Sequence, residues 1–477
     1  MSSYYPTMGL EIHAELLTRS KVFCSCSAEF GGEPNSRCCP VCSGMPGTLP
    51  VLNRRAVEYI IKAGYVMGCN ISRFTKWDRK NYFYPDLPKA YQISQMPRPV
   101  CLDGHVDISV NGEKKTIRIN RIHLEEDAGK LTHNEEERIS LADFNRCGIP
   151  LIEIVTEPDF HSAEEVVTFF EKIKLLLQYA GICDCKMEQG SIRCDVNISI
   201  APRGSEKLGT RTELKNLNSM RAVTRAIEAE INRQSDILDR GGEIVQETRR
   251  FNDAAGETVA MRSKEDAHDY RYFPDPDIPP IIFTEEELDE IRASLPEMPE
   301  QRMERYRTEY GISENDAVII VSDKRVSDFF NEAVIGCKNP KNVASYLVGE
   351  FMRRVNLGEI DLDDLKFSSR DFAQLVEYLY SDKLSQNNAK LVLGEMAEHG
   401  GTPKEIADAQ DLWIKEDTEQ LSAVIDELIA NNPKAAEQYR NGDQKVFGFF
   451  MGQANKALKG AASPKAIQEY LRNKLSE

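Results

Sequence analysis

Three groups of side chains in this sequence have the types and spacing to do chemistry. The first is a thiol block: Cys24-Ser-Cys26, then twelve residues, then Cys39-Pro-Val-Cys42. Two close pairs across a loop can supply the four soft donors of tetrahedral Zn²⁺, and a closed four-thiolate site is structural, not catalytic. Cys38 is a spare that could stand in for Cys39, though Cys39-x-x-Cys42 has the better spacing. A set of buried, unliganded thiols is the competing reading. The second group is acidic. Glu11 and His13 share one face of an expected strand in GLEIH (9–13), and RIHLEEDAGK (121–130) gathers His123, Glu125, Glu126 and Asp127. Glu153 lies between apolar neighbours in PLIEIVTEP, where a carboxylate is costly unless paired or bound to metal. Acids from three segments with an imidazole suit Mg²⁺, a hard ion often shared with nucleotide phosphates. Solvated acidic turns look alike, and the apolar setting of Glu153 is what favours a site.

The third group is cationic and aromatic. In DRKNYFYPDLPKAYQISQ (78–95), Arg79, Lys80 and Lys89 alternate with Tyr82, Phe83, Tyr84 and Tyr91. Charge for phosphate and rings for stacking are what a nucleotide or an RNA end requires. An aromatic core strand with a polar edge has the same pattern. Arg211 and Lys215 in GTRTELKNLNS (209–219) could orient phosphates. The sequence has no G-x-x-x-x-G-K-[ST], G-x-S-x-G or H-E-x-x-H, so it is neither a P-loop enzyme nor one with those serine or zinc motifs.

Short β-like runs must position these residues. RCDVNISIA (193–201) alternates with period two, and KKTIRINRIHL (114–124) and PLIEIV (150–155) read as further strands. Helices are expected from Ser162, spaced with Glu165 as a capping box and stopped by Gly181, and from about Ser219 to Arg240. Strands and helices do not alternate regularly, so an α+β cradle fits better than a doubly wound sheet. After FPDPDIPPIIF (273–283) the chain turns charged and helical, and a second break falls near GGTPKEIADAQDL (400–412). The expected division is a cradle with a zinc-binding insert over 1–292, an all-α domain over 293–408 and a small helical tail over 409–477.

The 477 residues are 41% hydrophobic and 29% charged, the profile of a folded globular protein of about three domains. The net charge of −17 argues against a protein that coats nucleic acid. Residues 431–477 differ, with eight lysines and arginines against four acids. Lys445, Lys456, Lys459 and Lys465 form either a solvated helical face or a tail that touches phosphates. No basic leader with an apolar core opens the sequence and no run approaches 18 apolar residues, so a cytoplasmic protein with reduced thiols is expected.

In order along the chain, GLEIHAEL, PNSRCCPVCSGMPGTLPVLN, RKNYFYPDLPKAYQISQ, RIHLEEDAGK, NRCGIPLIEIVTEPD, GSIRCDVNISI, TELKNLNS and KEDAHDYRYFPDPD resemble the B subunits of bacterial aspartyl/glutamyl-tRNA(Asn/Gln) amidotransferases. The resemblance runs from about residue 5 to the C-terminus. It implies a glutamine-synthetase-like α+β cradle, then a helical domain and a small tail that contacts tRNA. It implies ATP-dependent phosphorylation of the side-chain carboxylate of Glu-tRNA(Gln) or Asp-tRNA(Asn), then displacement of phosphate by ammonia. The ammonia would come from glutamine hydrolysed by an A subunit, with a C subunit strapping the two together. The family's Mg²⁺ site carries over to His13, Glu11, Glu125 or Glu126, and Glu153, with residues 78–95 and Lys215 near ATP and the acceptor end. Ala201 stands where the family usually has arginine, and Met220 where an aromatic is usual. A zinc-containing tRNA-binding adaptor without catalysis is the alternative, and a free-standing ligase using a small amine is a weaker third. The lack of a glutaminase signature favours a subunit.

Overall fold

A computed structural model describes residues 3–96, 98–134, 136–261, 270–414, 418–440, 443, 445–458 and 464–476. The chain divides into two compact units, Met1–Pro299 and Glu300–Glu477. The strands of the first are β1 Tyr4–Glu15, β2 Asn70–Ile71, β3 Phe74–Thr75, β4 Asp78–Asn81, β5 Tyr91–Ser94, β6 Cys101–Val110, β7 Glu113–Glu126, β8 Lys130–Asn134, β9 Ile139–Asp143, β10 Pro150–Thr156, β11 Ile192–Pro202, β12 Thr212–Lys215, β13 Thr248–Asn252, β14 Glu257–Ala260, β15 Phe273–Pro274 and β16 Ile281–Ile282. Its helices are α1 Arg54–Val66, α2 Ala163–Tyr179, α3 Met220–Asp239 and α4 Glu285–Ala293.

Nine strands make one sheet in the order β14-β13-β12-β11-β1-β10-β7-β6-β2, antiparallel except for the parallel β12–β13 pair. The β6–β7 hairpin turns on Asn111 and Gly112, both with positive φ (52° and 83°), the conformation that matches the strands' right-handed twist. The three expected strand runs are strands here, within β11, β7 and β10. Leu10, Ile12, Ile122, Leu124, Ile152, Ile154, Val196 and Ile198 point to one face, where they are buried with Ile60, Phe169, Phe170, Ile173, Leu177, Val223 and Ile227 of α1–α3. Each such side chain contributes about 1.5–3 kcal/mol on full burial. The alternate residues of the same strands face the other side of the sheet, and most of them are polar.

Helix α2 starts as its sequence implies, with the Ser162 side chain accepting from the Glu165 backbone N–H. The reciprocal bond differs from the expected capping box, since the Glu165 carboxylate accepts from the His161 N–H (2.6 Å). Ser219 caps α3 by accepting from the Ala222 N–H, Arg240 closes the helix, and Met220 packs against the sheet core. Ile291, Leu295 and Met298 pack against that same core.

Among its described residues the second unit is helical, beginning within the helix Pro299–Thr308 and ending with the helix Pro464–Ser476. One hydrophobic cluster centres on Phe330, Phe351, Phe372 and Leu393, and another on Ile425, Phe450, Ala454 and Leu471. Among the described residues no helix is long and apolar enough to cross a membrane.

Candidate functional site

The sheet register builds a row of charged side chains on the face away from the helices. Arg193 of β11 pairs with His13 of β1, His13 with Glu153 of β10, and Glu153 with His123 of β7. Residues two apart on a strand share a face, so Glu125 joins His123, and Glu11 joins His13 opposite Asp195. His13, Glu125 and Glu153 each bring a donor atom within 4.8 Å of the others. The His123 Nε2 lies 3.1 Å from Glu125 Oε1 and 3.3 Å from Glu153 Oε2, and His13 Nε2 is 3.6 Å from Glu153 Oε2. Burial alone would lower the pKa of His123, but the two carboxylates outweigh it and lift the imidazole to about 9. Burial works against ionised Glu153 too, yet His123 and His13 hold it well below the usual carboxylate range.

Glu125 and Glu126 are neighbours on β7 and therefore diverge. Glu125 turns to the histidines and accepts from Ser94 Oγ (2.8 Å) and Gln92 Nε2 (3.0 Å) of β5. Glu126 instead accepts from Lys89 Nζ (2.6 Å) and the Ile93 N–H (3.0 Å), outside the His13–Glu125–Glu153 group. Glu11 accepts from Asn197 Nδ2 at 3.0 Å. Asp127 holds Arg193 at 2.7 Å.

Strands β15, β4 and β5 form a small sheet that carries the cationic and aromatic run. Arg79 is committed to Asp275 (2.7 Å) and Asp277 (2.9 Å), with its guanidinium 4.3 Å from the Tyr91 ring centroid. Lys215 pairs with Asp195 (2.8 Å) and Glu213 (3.0 Å). Of Arg79, Lys80, Lys89 and Lys215, only Lys80 has no carboxylate ion pair among the described residues. Its ammonium sits 5.1 Å from the Tyr270 centroid and 5.9 Å from that of Tyr82. Burial would lower its pKa, but the charges of Glu125 and Glu153 overcome this and raise it. Tyr84 and Arg211 are exposed and stand outside this group.

Cys24, Cys26, Cys39 and Cys42 gather their sulfurs within 4.8 Å, while Cys38 donates toward Asn145 Oδ1 at 3.9 Å. Short turns hold the set: Lys21 N–H to Cys26 O (2.9 Å), Ser43 N–H to Cys39 O (3.0 Å) and Cys39 N–H to Cys42 Sγ (3.2 Å). In the second unit Lys456 is exposed on the helix Lys445–Leu458. Lys459 lies outside the described residues, as do the side chains of Lys445 and Lys465.

A sheet face of paired histidines and carboxylates beside a basic, aromatic edge is now in view, and comparison gives it a family. The family model "GatB/GatE catalytic domain" matches residues 6–289, and the model "GatB domain" matches residues 328–475. The chain belongs to the GatB family. It is 53% identical to the aspartyl/glutamyl-tRNA(Asn/Gln) amidotransferase B subunit of Ruminiclostridium cellulolyticum, over 99% of this chain and 98% of that one. The proteins of the same name from Caldicellulosiruptor saccharolyticus (52%, 99% of both chains) and Thermoanaerobacter pseudethanolicus (50%, 99% of this chain and all of the other) are similar over the same span. All of the sheet-face residues lie inside the segment matched by the GatB catalytic-domain model.

Several roles at the site were not legible in the sequence. His123 bridges Glu125 and Glu153, while Ser94 and Gln92 anchor Glu125. Arg193 and Asp195 extend the GatB row on β11, and their period-two spacing was the available signal. Asp275, Asp277 and Tyr270 come from a distant loop and carry no pattern that ties them to residues 78–95.

Proposed function

We propose that this chain is the B subunit of a glutamine-dependent tRNA amidotransferase, a cytoplasmic ligase, and that the polar face of its sheet is the amidation site. The observation that carries the reading is the junction of His13, Glu125 and Glu153 beside Lys80, within a segment that matches a catalytic-domain family. The substrates are ATP and Glu-tRNA(Gln), Asp-tRNA(Asn) or both. Glutamine-derived ammonia comes from a partner A subunit, and a C subunit completes a heterotrimer. The cradle is read as glutamine-synthetase-like, spanning 1–292, followed by a helical domain (293–408) and a tRNA-contacting tail (409–477) with Lys445, Lys456, Lys459 and Lys465.

A free carboxylate is a poor acyl donor, so the reaction first transfers the γ-phosphoryl of ATP to the side-chain carboxylate of the aminoacyl-tRNA. Ammonia then attacks the acyl carbon, phosphate leaves with the electron pair of the C–O bond, and the amide remains. Two anions must approach each other in the first step, and aimed positive charge is the main way an enzyme stabilises it. Lys80, beside two tyrosine rings and with no carboxylate ion pair among the described residues, would meet phosphate oxygens. Arg79, Lys89 and Lys215 keep the rest of the surface in shape through their ion pairs, and Tyr82 and Tyr91 offer rings to the base or acceptor end. The donor set of one imidazole and two carboxylates fits a divalent cation such as Mg²⁺, which His13, Glu125 and Glu153 would hold, with Glu11 alongside. When bound, that ion neutralises phosphate charge. The four thiols fit structural Zn²⁺.

The test is the chain co-expressed with A and C partners and given Glu-tRNA(Gln), Asp-tRNA(Asn), glutamine and labelled ATP. ADP and amidated tRNA should both appear, and both should vanish with Glu153→Gln. If tRNA binds but neither product forms with intact partners, the adaptor reading replaces this one.

A further inference from the structure

Lys21 is wholly buried, an expensive place for an ammonium unless an anion compensates it. Its Nζ lies 3.6 Å from Cys42 Sγ and 3.2 Å from the carbonyl oxygen of Phe144. Among the described residues no carboxylate pairs with it. The acid that shares its surroundings, Glu126, is taken by Lys89, and both lysines line one cavity of about 100 Å³ together with Phe23, Cys42 and Glu126. The anion facing Lys21 is therefore the sulfur cluster. Four thiolates around a divalent ion carry two net negative charges, whereas the same four as free thiols carry none.

We infer that Lys21 is the buried counter-cation of the tetrathiolate metal site, and that it ties the site to the catalytic sheet. Its backbone N–H holds the first cysteine pair through Cys26 O (2.9 Å), and its side chain reaches the second pair at Cys42. The bond to Phe144 O continues into the loop before β10, where the Gly148 N–H donates to Asp127 O (2.9 Å) and the Gly148 carbonyl accepts from the Val22 N–H (2.9 Å). A Cβ on Gly148 would sit 3.6 Å from both Cys42 Cβ and Lys21 Cδ, and its φ of +82° disfavours any side chain there. Metal, lysine and loop thus form one packed unit next to the strand that bears Glu153.

This role rests on the four thiols binding metal, and the experiment separates the two claims. Full-length chain stripped of metal is titrated with Co²⁺, with thiolate-to-metal charge-transfer absorption as the readout and a competing chelator to set the affinity. Wild-type chain should develop the tetrathiolate spectrum. Lys21→Met and Lys21→Gln should bind about ten- to a hundred-fold more weakly, the usual cost of losing a partner behind the ligands. Without metal the sign should reverse: Lys21→Met removes an uncompensated buried charge and should unfold at or above the wild-type temperature. Equal Co²⁺ affinity in wild type and both variants would overturn the counter-cation role while leaving the metal site standing. So would an equal loss of stability with and without metal, the mark of a merely structural lysine. A wild-type chain with no tetrathiolate spectrum would overturn the metal reading and the role with it.

Discussion

The thiol cluster and the carboxylate cluster lie in the same unit, but they are assembled by different means. Cys24 to Cys42 occupy nineteen consecutive residues, and the turns among them supply the hydrogen bonds that converge the sulfurs. His13, Glu125 and Glu153 come from three strands and meet only through register. A one-residue slip of β10 would swing Glu153 to the helix-covered face and bring an isoleucine in its place. The first cluster is local, gathered by the turns of one short segment. The second is held in place by the sheet core, by His123 and by the bonds from β5.

That contrast breaks most sharply at Glu153. In the reconstituted complex Glu153→Gln should cut ADP and amide formation about a hundred- to a thousand-fold, as loss of aimed charge does elsewhere. Thermal unfolding should fall by only a few degrees, because the isosteric amide keeps its place in β10 and Glu125 still faces His123. A large drop in unfolding temperature would mean that the carboxylates are scaffold after all.

The scaffold itself can be loosened behind the site. Glu230 of α3 is fully buried and accepts from Arg233, Gln234, Thr212 and Thr258. Burial disfavours its charge, but these partners win and hold its pKa below the ordinary 4.5. Glu230→Gln should therefore cost about 3 kcal/mol in chemical denaturation, since it breaks the pair with Arg233 around a fully buried carboxylate. A carboxyl depressed in the folded state stabilises above its unfolded pKa and loses that contribution as pH falls through the folded value. The gap between wild type and variant should be full above about pH 4.5 and close below it.

At the local cluster, Cys39→Ser should lower the unfolding temperature of the first unit by several degrees and match the effect of chelating the wild type. Amidation per folded chain should stay within about twofold, since the thiols supply fold and not chemistry. The smallest effect belongs to the tail. Lys456→Glu should weaken tRNA binding and reduce its salt dependence by about one unit of slope, with ATP affinity unchanged. Equal weakening of both ligands would remove the division of labour between the units.

The same contrast explains what could be read from the sequence. The thiol set was readable from spacing alone, and the structure selects Cys39 over Cys38 as the spacing preferred. A period-two run marked β11, short β-like runs marked β7 and β10, and the Ser162 cap marked the start of α2. The choice between Glu125 and Glu126 was not readable. Alternation says that only one can face His13, but which one follows from the pairing of Glu153 with His123 across two strands. That Arg79 pairs with Asp275 and Asp277 was not readable either, because those partners come from the far end of the unit. The parallel β12–β13 pair, joined through α3, likewise follows from packing and has no local signature.

The most direct measurement of the central claim is Mn²⁺ binding to the full chain, followed by electron paramagnetic resonance, with zinc counted by elemental analysis on the same samples. The wild type should bind Mn²⁺ at the sheet face. Glu153→Gln should lose that binding and keep its zinc, whereas Cys39→Ser should lose zinc and keep Mn²⁺. Undiminished Mn²⁺ binding in Glu153→Gln would contradict the assignment of His13, Glu125 and Glu153 as the cation site.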